Sequence, residues 1–408
     1  MTQPRRAVVV GGGIGGLTAA VALHRRGLHV TVLERARSLE PVGAAISLAP
    51  NALRALDVIG LGDEVRDLAA WSGDGGLRTP KGRWLSRTSA EAAARRFGGP
   101  LVLLPRATLI ERLAALLPAG SVRTDAAATL TDCGGPDRPA RVATADGEHE
   151  ADLVVGADGI RSAVRGTLFP HHPGAVYAGW TTWRVLIPVP GARFASHETW
   201  GPGRLWGSHP LKDGRVYAYA GATTPAGGRA RDDEKAELLR LFGDWHDPIP
   251  AVLAAVRPED VLRHDVHHIA EPLPAYHRGR VALLGDAAHA MPPSLGQGGN
   301  QAVEDAVVLA HHCDDLAAYT AARRPRTTAI ARQAVKASRL SLMSSRAGLA
   351  VRDTAMSLLS LAGPALFVRS FDGIADWVPP RPPYASEQTR QTTVGGDASR
   401  EGRLHRTR

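Results

Sequence analysis

Apolar positions fall into short continuous runs near the N-terminus and again at two later points, each with glycines behind it. Ala7-Val8-Val9-Val10 is the β-branched kind of run that is buried on both faces of a parallel sheet, and Gly11-Gly12-Gly13-Ile14-Gly15-Gly16 follows directly. Leu17, Ala20, Val21 and His24 then recur at helical spacing up to Gly27, so the segment predicts strand, glycine turn and helix. His29 to Leu33 predicts a second strand ending at Glu34. Leu153-Val154-Val155, before Gly156-Ala157-Asp158-Gly159, and Val281-Ala282-Leu283-Leu284, before Gly285-Asp286, predict two more buried strands that end in turns. The second leads through Met291-Pro292-Pro293-Ser294-Leu295-Gly296-Gln297-Gly298-Gly299-Asn300 into a helix striped by Val303, Ala306, Val307 and Ala310. From Ala175 to Ala222 the period changes to two, as in Trp180-Thr181-Thr182-Trp183-Arg184 and Val216-Tyr217-Ala218-Tyr219-Ala220, which predicts antiparallel strands.

With 408 residues and 44% hydrophobic content, the chain has enough apolar material for more than one core, which excludes a disordered or disulfide-stapled molecule. Cys133 and Cys313 lack metal-ligand or CxxC spacing, so no metal site is predicted. Two cysteines so far apart and the early start of the first strand fit a cytoplasmic protein without a signal peptide. A net charge of +9 raises the question of nucleic acid, but 5% aromatics and the lack of a basic run interleaved with stacking residues argue against it. The basic excess is concentrated between Tyr319 and Arg352, where Arg323, Arg324, Arg326 and five further cations occur with no acid. That stretch reads as a solvated helix face; a surface that steers an anionic cosubstrate or touches a membrane is the alternative. Thr354 to Val368, the longest uncharged apolar stretch, is too short to span a bilayer. The residues after Trp377 become rich in Pro, then in Ser, Thr, Gln and Arg, which predicts a disordered tail over 379–408.

The first glycine turn carries chemistry. Gly11 permits the tight turn, Gly13 lets a pyrophosphate reach the backbone, and Gly16 lets the helix pack on the strand with its positive end toward phosphate; Ile14 and Gly15 complete the turn. Glu34 lies eighteen residues after Gly16, where an acid accepts hydrogen bonds from a ribose 2′-hydroxyl. Its carboxylate repels a 2′-phosphate, so the ligand here is the ADP unit of FAD or NAD unless Arg35 intervenes. The turn alone leaves flavin and nicotinamide both open.

Taken with the Asp158-Gly159 and Gly285-Asp286 segments in the same order, the chain from Ala7 to Pro380 resembles the single-component, class A FAD-dependent monooxygenases related to para-hydroxybenzoate hydroxylase. It is more moderately similar to the FAD-dependent urate hydroxylases. The resemblance implies noncovalent FAD, NAD(P)H as cosubstrate, and a flavin C4a-hydroperoxide that passes one oxygen of O₂ to an electron-rich aromatic or heteroaromatic small molecule. It also implies that Asp286 bonds the ribityl chain, that Asp158 and Gly159 serve FAD and NAD(P)H, and that Arg106 in Leu103-Leu104-Pro105-Arg106 contacts the flavin. Arg161 and Arg165 are then placed to meet nicotinamide-nucleotide phosphates. Gly296, Gly298 and Gly299, with Asn300, bring main chain to the isoalloxazine edge, and Pro292 and Pro293 lie where substrate meets it.

Arg204 and Tyr217 match substrate-pocket positions of the urate hydroxylases, although as bare residues they read equally well as a cross-strand pair. Trp180, Trp183, Trp206, Tyr217 and Tyr219 would supply the flat faces of that pocket, with Arg204 as the polar anchor. His289 is either a base or a loop anchor. Halogenases of similar fold fit poorly, because Trp180 and Trp183 are separated by two residues instead of one. Epoxidation, Baeyer-Villiger insertion and a non-catalytic flavin redox sensor are the alternatives on this scaffold.

The fold class that follows is α/β: a Rossmann-like FAD-binding domain, an inserted antiparallel β-sheet substrate domain and C-terminal helices. The boundaries are 1–75, 100–175 and 276–318 for FAD binding, 76–99 and 176–275 for substrate, and 319–378 for the helices.

Overall fold

The run Arg6–Val10 lies inside a six-stranded sheet ordered His277–Arg278, Val281–Leu283, Leu153–Gly156, Arg6–Val10, His29–Leu33, Val122–Arg123. A computed structural model describes residues 5–39, 45–69, 74–361, 363 and 369–380; the predicted tail beyond 380 lies outside the described residues. All pairings in this sheet are parallel except the edge hairpin of 277–278 with 281–283. Val9, Val155 and Ala282 on neighbouring strands are wholly buried, which is why these runs lack alternating polar residues. Helices Ile14–Arg25 and Gly298–His311 touch through small residues: a side chain at Gly15 would meet Leu284 at 2.8 Å and Ala302 at 3.1 Å. A small antiparallel sheet of Thr129–Asp132, Ala140–Thr144 and Gly147–Ala151 contributes Leu130 and Val142 to the same core.

The second sheet has seven strands, ordered Leu262–Ile269, Ala175–Pro188, Arg215–Thr223, Arg204–Pro210, His197–Gly201, Gly75–Arg78, Trp84–Thr88. Only the contact between His197–Gly201 and Gly75–Arg78 is parallel. Its two faces differ. Trp183, Val185, Trp206, Val216, Ala218 and Ala220 form one face and pack on Phe242, Trp245 and Val252, from the helices Glu234–Phe242 and Ile249–Ala255 and the turn joining them. Leu186, Tyr217, Tyr219 and Leu211 form part of the other, which meets Ala45 and Leu103 of the antiparallel pair Ala45–Leu48 and Val102–Pro105.

The basic stretch after Tyr319 keeps its predicted solvated face at Arg332, Lys336, Arg339 and Arg346, which are exposed, and departs from it at Arg323, Arg324, Arg326 and Arg352. On helix Leu316–Ser341, Arg323 is buried, with Nε donating to Asp305 Oδ1 and Nη1 to Glu304 Oε2, both at 2.6 Å. Arg326 also donates to both Glu304 oxygens, at 2.8 and 2.9 Å, and Arg324 donates to the Leu273 carbonyl. The acids come from helix Gly298–His311, far away in sequence, so the stretch looked unpaired when read locally. No helix among the described residues is long and apolar enough to cross a membrane.

Candidate active site

The first glycine turn is held by sterics and by Glu34. Gly11 has φ +110°, and a side chain there would run into the Ala157 carbonyl; one at Gly16 would strike the Gly11 carbonyl. Glu34 accepts from the backbone N–H of Gly12 at 2.6 Å and of Ala36 at 2.8 Å, which pins its carboxylate beside the turn. Arg35 points to solvent. Ile14 is buried in the core and Gly15 faces Leu284 and Ala302, so only their main chain can serve a ligand at the turn.

Asp158 caps a helix. Its oxygens accept from Ser162 Oγ at 2.5 Å and from the Val164 N–H at 3.1 Å, at the start of Ala163–Leu168, while Gly159 turns at φ +78° in open space. Arg165, expected to meet phosphates, is instead buried and donates to the carbonyls of Ala287 (3.0 Å) and Ile160 (2.7 Å). It thereby joins the Asp158 turn to the Asp286 turn. Arg161 stays exposed.

The Asp286 carboxylate is open to solvent although protein surrounds it closely enough for desolvation to push its pKa up, against the opposing charges of His289, Arg106 and Arg165. A side chain at Gly298 would come within 3.9 Å of Asp286 Oδ1. Arg106 opens helix Arg106–Ala115. Its pKa is lowered, first by burial and then by Arg184, with Asp286 opposing, and its Nε is buried with no hydrogen-bond partner among the described residues. The nearest atom to a side chain added at Gly13 is Arg106 Nη2, at 4.0 Å. Gly13, Arg106, Asp286 and Gly298 thus border one polar cleft.

The loop beneath the cleft is braced by residues that sequence left open or assigned elsewhere. His289 is buried, and its Nε2 lies 2.5 Å from Asp305 Oδ2, which also accepts from the Gly285 N–H at 2.9 Å. His289 is the loop anchor. Asn300, expected at the cofactor, directs its side chain away from it: Oδ1 accepts from the Ala49 N–H at 2.8 Å, and Nδ2 donates to the carbonyls of Ser47 and Gly296. All of its side-chain polar atoms are engaged, so only its main chain is left for a ligand. A side chain at Gly299 would press on Ile46 at 2.8 Å, whereas Gly296, at φ +63°, is exposed. Pro292 is buried and Pro293 exposed, at the head of the turn Pro293–Leu295.

On the second sheet, strand alternation separates residues that sequence had grouped. Tyr217, Tyr219 and Trp180 are on the face toward Leu103; Trp183 and Trp206 are on the opposite face, with Trp183 Nε1 donating to Glu234 and the Trp206 ring tilted against Phe242 at 5.4 Å. Arg204 is also on that opposite face, its guanidinium 5.6 Å from the centre of the Trp245 ring. It does not reach Tyr217. Arg184, a residue without a motif around it, is a cation on the Tyr217 face; Arg215, at the end of that face, is held by Asp213. Arg184 pairs with His264 Nδ1 at 3.2 Å, leaves Nε buried without a partner among the described residues, and acts on the charges of both Tyr217 and Arg106. Burial pushes the Tyr217 hydroxyl up, with Arg184 opposing. Farther along this face, Glu198 is pushed up to about 7 and His209 down to about 4, each mainly by desolvation.

The family model for the FAD binding domain matches residues 5–334. The chain belongs to this FAD-binding family. Among curated relatives, the aurachin C monooxygenase/isomerase of Stigmatella aurantiaca is 39% identical over 327 residues, covering 79% of this chain and 84% of the relative. The FAD-dependent urate hydroxylase of Klebsiella oxytoca is 35% identical over 314 residues, covering 74% and 80%. Among solved structures, HpxO of Klebsiella pneumoniae complexed with FAD and uric acid aligns at a TM-score of 0.81 and 29% identity, over 91% of this chain and 96% of that one. The protein is an FAD-dependent monooxygenase with the expected α/β fold, an antiparallel second sheet and C-terminal helices.

The monooxygenase cleft fits that cofactor on its own terms. It offers a side-chain-free backbone approach at Gly13, a solvent-facing carboxylate at Asp286, and at Arg106 a buried donor that lacks an acceptor among the described residues. Buried Nε atoms without hydrogen-bond partners among the described residues also occur at Arg112, Arg141, Arg184 and Arg204; Arg106 is set apart by Asp286 and the bare Gly13 beside it, where a ligand can complete the hydrogen bonding.

Proposed function

We propose that this monooxygenase hydroxylates an electron-rich aromatic or heteroaromatic small molecule with NAD(P)H as reductant, and that Arg184 orients the substrate. The observation that carries the reading is the opposition of the Tyr217 and Arg184 face to the cleft of Arg106 and Asp286, where the Nε atoms of Arg106 and Arg184 are buried without acceptors among the described residues. FAD supplies the electron transfer and oxygen activation. The protein's own share is binding and positioning. Gly11, Gly13, Gly16 and Glu34 hold the ADP end; Arg106, Asp286, Gly296, Gly298 and Gly299 hold the ribityl and ring end; Asp158 and Gly159 shape the turn beside which NAD(P)H docks, near exposed Arg161.

Tyr217 and Tyr219 offer flat faces to a planar ring, and the fixed fork of Arg184 suits an anionic oxygen or carbonyl on it. Pro292 and Pro293 border the substrate side, where Pro residues offer carbonyls but no N–H. The names of the urate hydroxylase and of HpxO with uric acid support a heteroaromatic substrate class. The domain boundaries given above go with this reading. A screen of hydroxylated and amino-substituted aromatics and heteroaromatics for stimulated NAD(P)H oxidation, with product counted per NAD(P)H, tests it. Stimulation by aliphatic ketones and by no aromatic compound would replace hydroxylation with Baeyer-Villiger insertion.

A further inference from the structure

The C-terminal helix Arg346–Leu361 is built inside out. Its single well-buried residue is an arginine: Arg352 lies over the Trp200 ring at 5.4 Å, donates to the Leu340 carbonyl at 3.2 Å, and is neutralised by Asp353 at 2.9 Å. Its outward face is apolar. Val351, Leu358, Leu359 and Leu361 are 70%, 62%, 57% and 82% exposed, and the helical neighbours Ala347, Thr354 and Ala355 between them are exposed and uncharged. Single exposed apolar side chains are ordinary on a soluble surface, whereas a charge-free stripe over four turns marks an interaction site.

Cations border the stripe. Arg346 begins the helix, exposed Arg83 donates to Ser357 from beside it, and Arg87 is exposed on Trp84–Thr88, the strand on which the helix packs. The only acid of Arg346–Leu361, Asp353, is engaged by Arg352. In a twofold contact these cations would face their own copies on a chain of net charge +9, so charge disfavours a second copy as the occupant. An apolar stripe rimmed by arginine suits a surface that is apolar within and anionic at its face. We propose that Arg346–Leu361 is an interfacial helix that seats the enzyme on anionic lipid bilayers.

The test is flotation of the FAD-loaded, full-length protein with vesicles of phosphatidylcholine containing phosphatidylglycerol at about one part in three, against pure phosphatidylcholine. The expected result is co-flotation with the anionic vesicles alone, weakened as salt rises from about 0.1 to about 0.5 M because the Debye length shrinks. The Val351→Glu/Leu358→Glu variant, changed only at solvent-exposed positions, should lose at least about tenfold in vesicle affinity while keeping wild-type FAD content and circular dichroism. Absence of the wild type from the anionic vesicle fraction overturns the proposal. So does vesicle binding that the variant retains, or a stable wild-type dimer in light scattering that the variant dissolves, which would assign the stripe to a second copy.

Discussion

Arg204 and Tyr217 stand on adjacent strands of one sheet and face opposite ways. Arg204 pairs in register with Ala222 and Tyr217 with His209, so Arg204 joins the Trp245 side and Tyr217 the side of Leu103. Arg184, one strand over and in register with Tyr219, is a cation that shares the Tyr217 face. This relationship separates the two arginines experimentally. Arg184→Ala should cut product per NAD(P)H consumed several-fold and divert oxygen to hydrogen peroxide, with FAD content unchanged, because transfer needs the target carbon held in reach. Arg204→Ala should leave that coupling intact and cost about 0.5 to 1 kcal/mol of stability, the worth of a partly exposed cation–π contact. Wild-type coupling in Arg184→Ala would remove the anchor role.

Asp286 is the solvent-facing acid of the cleft, and a hydrogen bond from it to the cofactor is worth about 1 to 3 kcal/mol. Asp286→Ala should therefore weaken FAD binding by roughly five- to 150-fold, read by flavin fluorescence titration of the apoprotein. Acid precipitation of the wild type should release all of its FAD, the mark of noncovalent attachment. Flavin that stays with the precipitate would contradict it.

Arg323 clamps Glu304 and Asp305, and Asp305 in turn holds both His289 and the Gly285 N–H. Removing one partner from a buried ion network leaves uncompensated charge and costs about 3 to 5 kcal/mol. Arg323→Met should lower the denaturation midpoint accordingly and reduce FAD content, since the Gly285-Asp286 turn loses its brace. A change below about 1 kcal/mol would return the stretch to a surface role.

Two groups on the Tyr217 face give opposite pH dependences. Burial lowers His209 from 6.5 to about 4, so its contribution to stability is complete above about 6.5 and is lost as pH falls toward 4. Burial raises Glu198 from 4.5 to about 7, so its contribution is complete below about 4.5 and is lost as pH rises through 7. The stability of Glu198→Gln relative to wild type should therefore rise steadily between pH 4.5 and 7 and then level off. Urea denaturation at four pH values across that range measures it. A difference independent of pH would mean that Glu198 titrates at its ordinary value.

What the sequence determined by itself was local: Val8 to Val10 as a buried strand, the conformational demand at Gly11, the acid at Glu34, and the turns at Asp158 and Asp286. Each follows from apolar period or glycine sterics within a few residues, which no distant contact has to supply. Tertiary structure decided which charges meet. The partners of Arg323 lie on helix Gly298–His311, and a run without acids therefore looked solvated until that helix was packed against it. The side taken by Arg204 depends on strand register, and a shift of one residue turns every side chain of a strand to the opposite face, so Arg184 could be set opposite Arg106 only once the sheet was assembled.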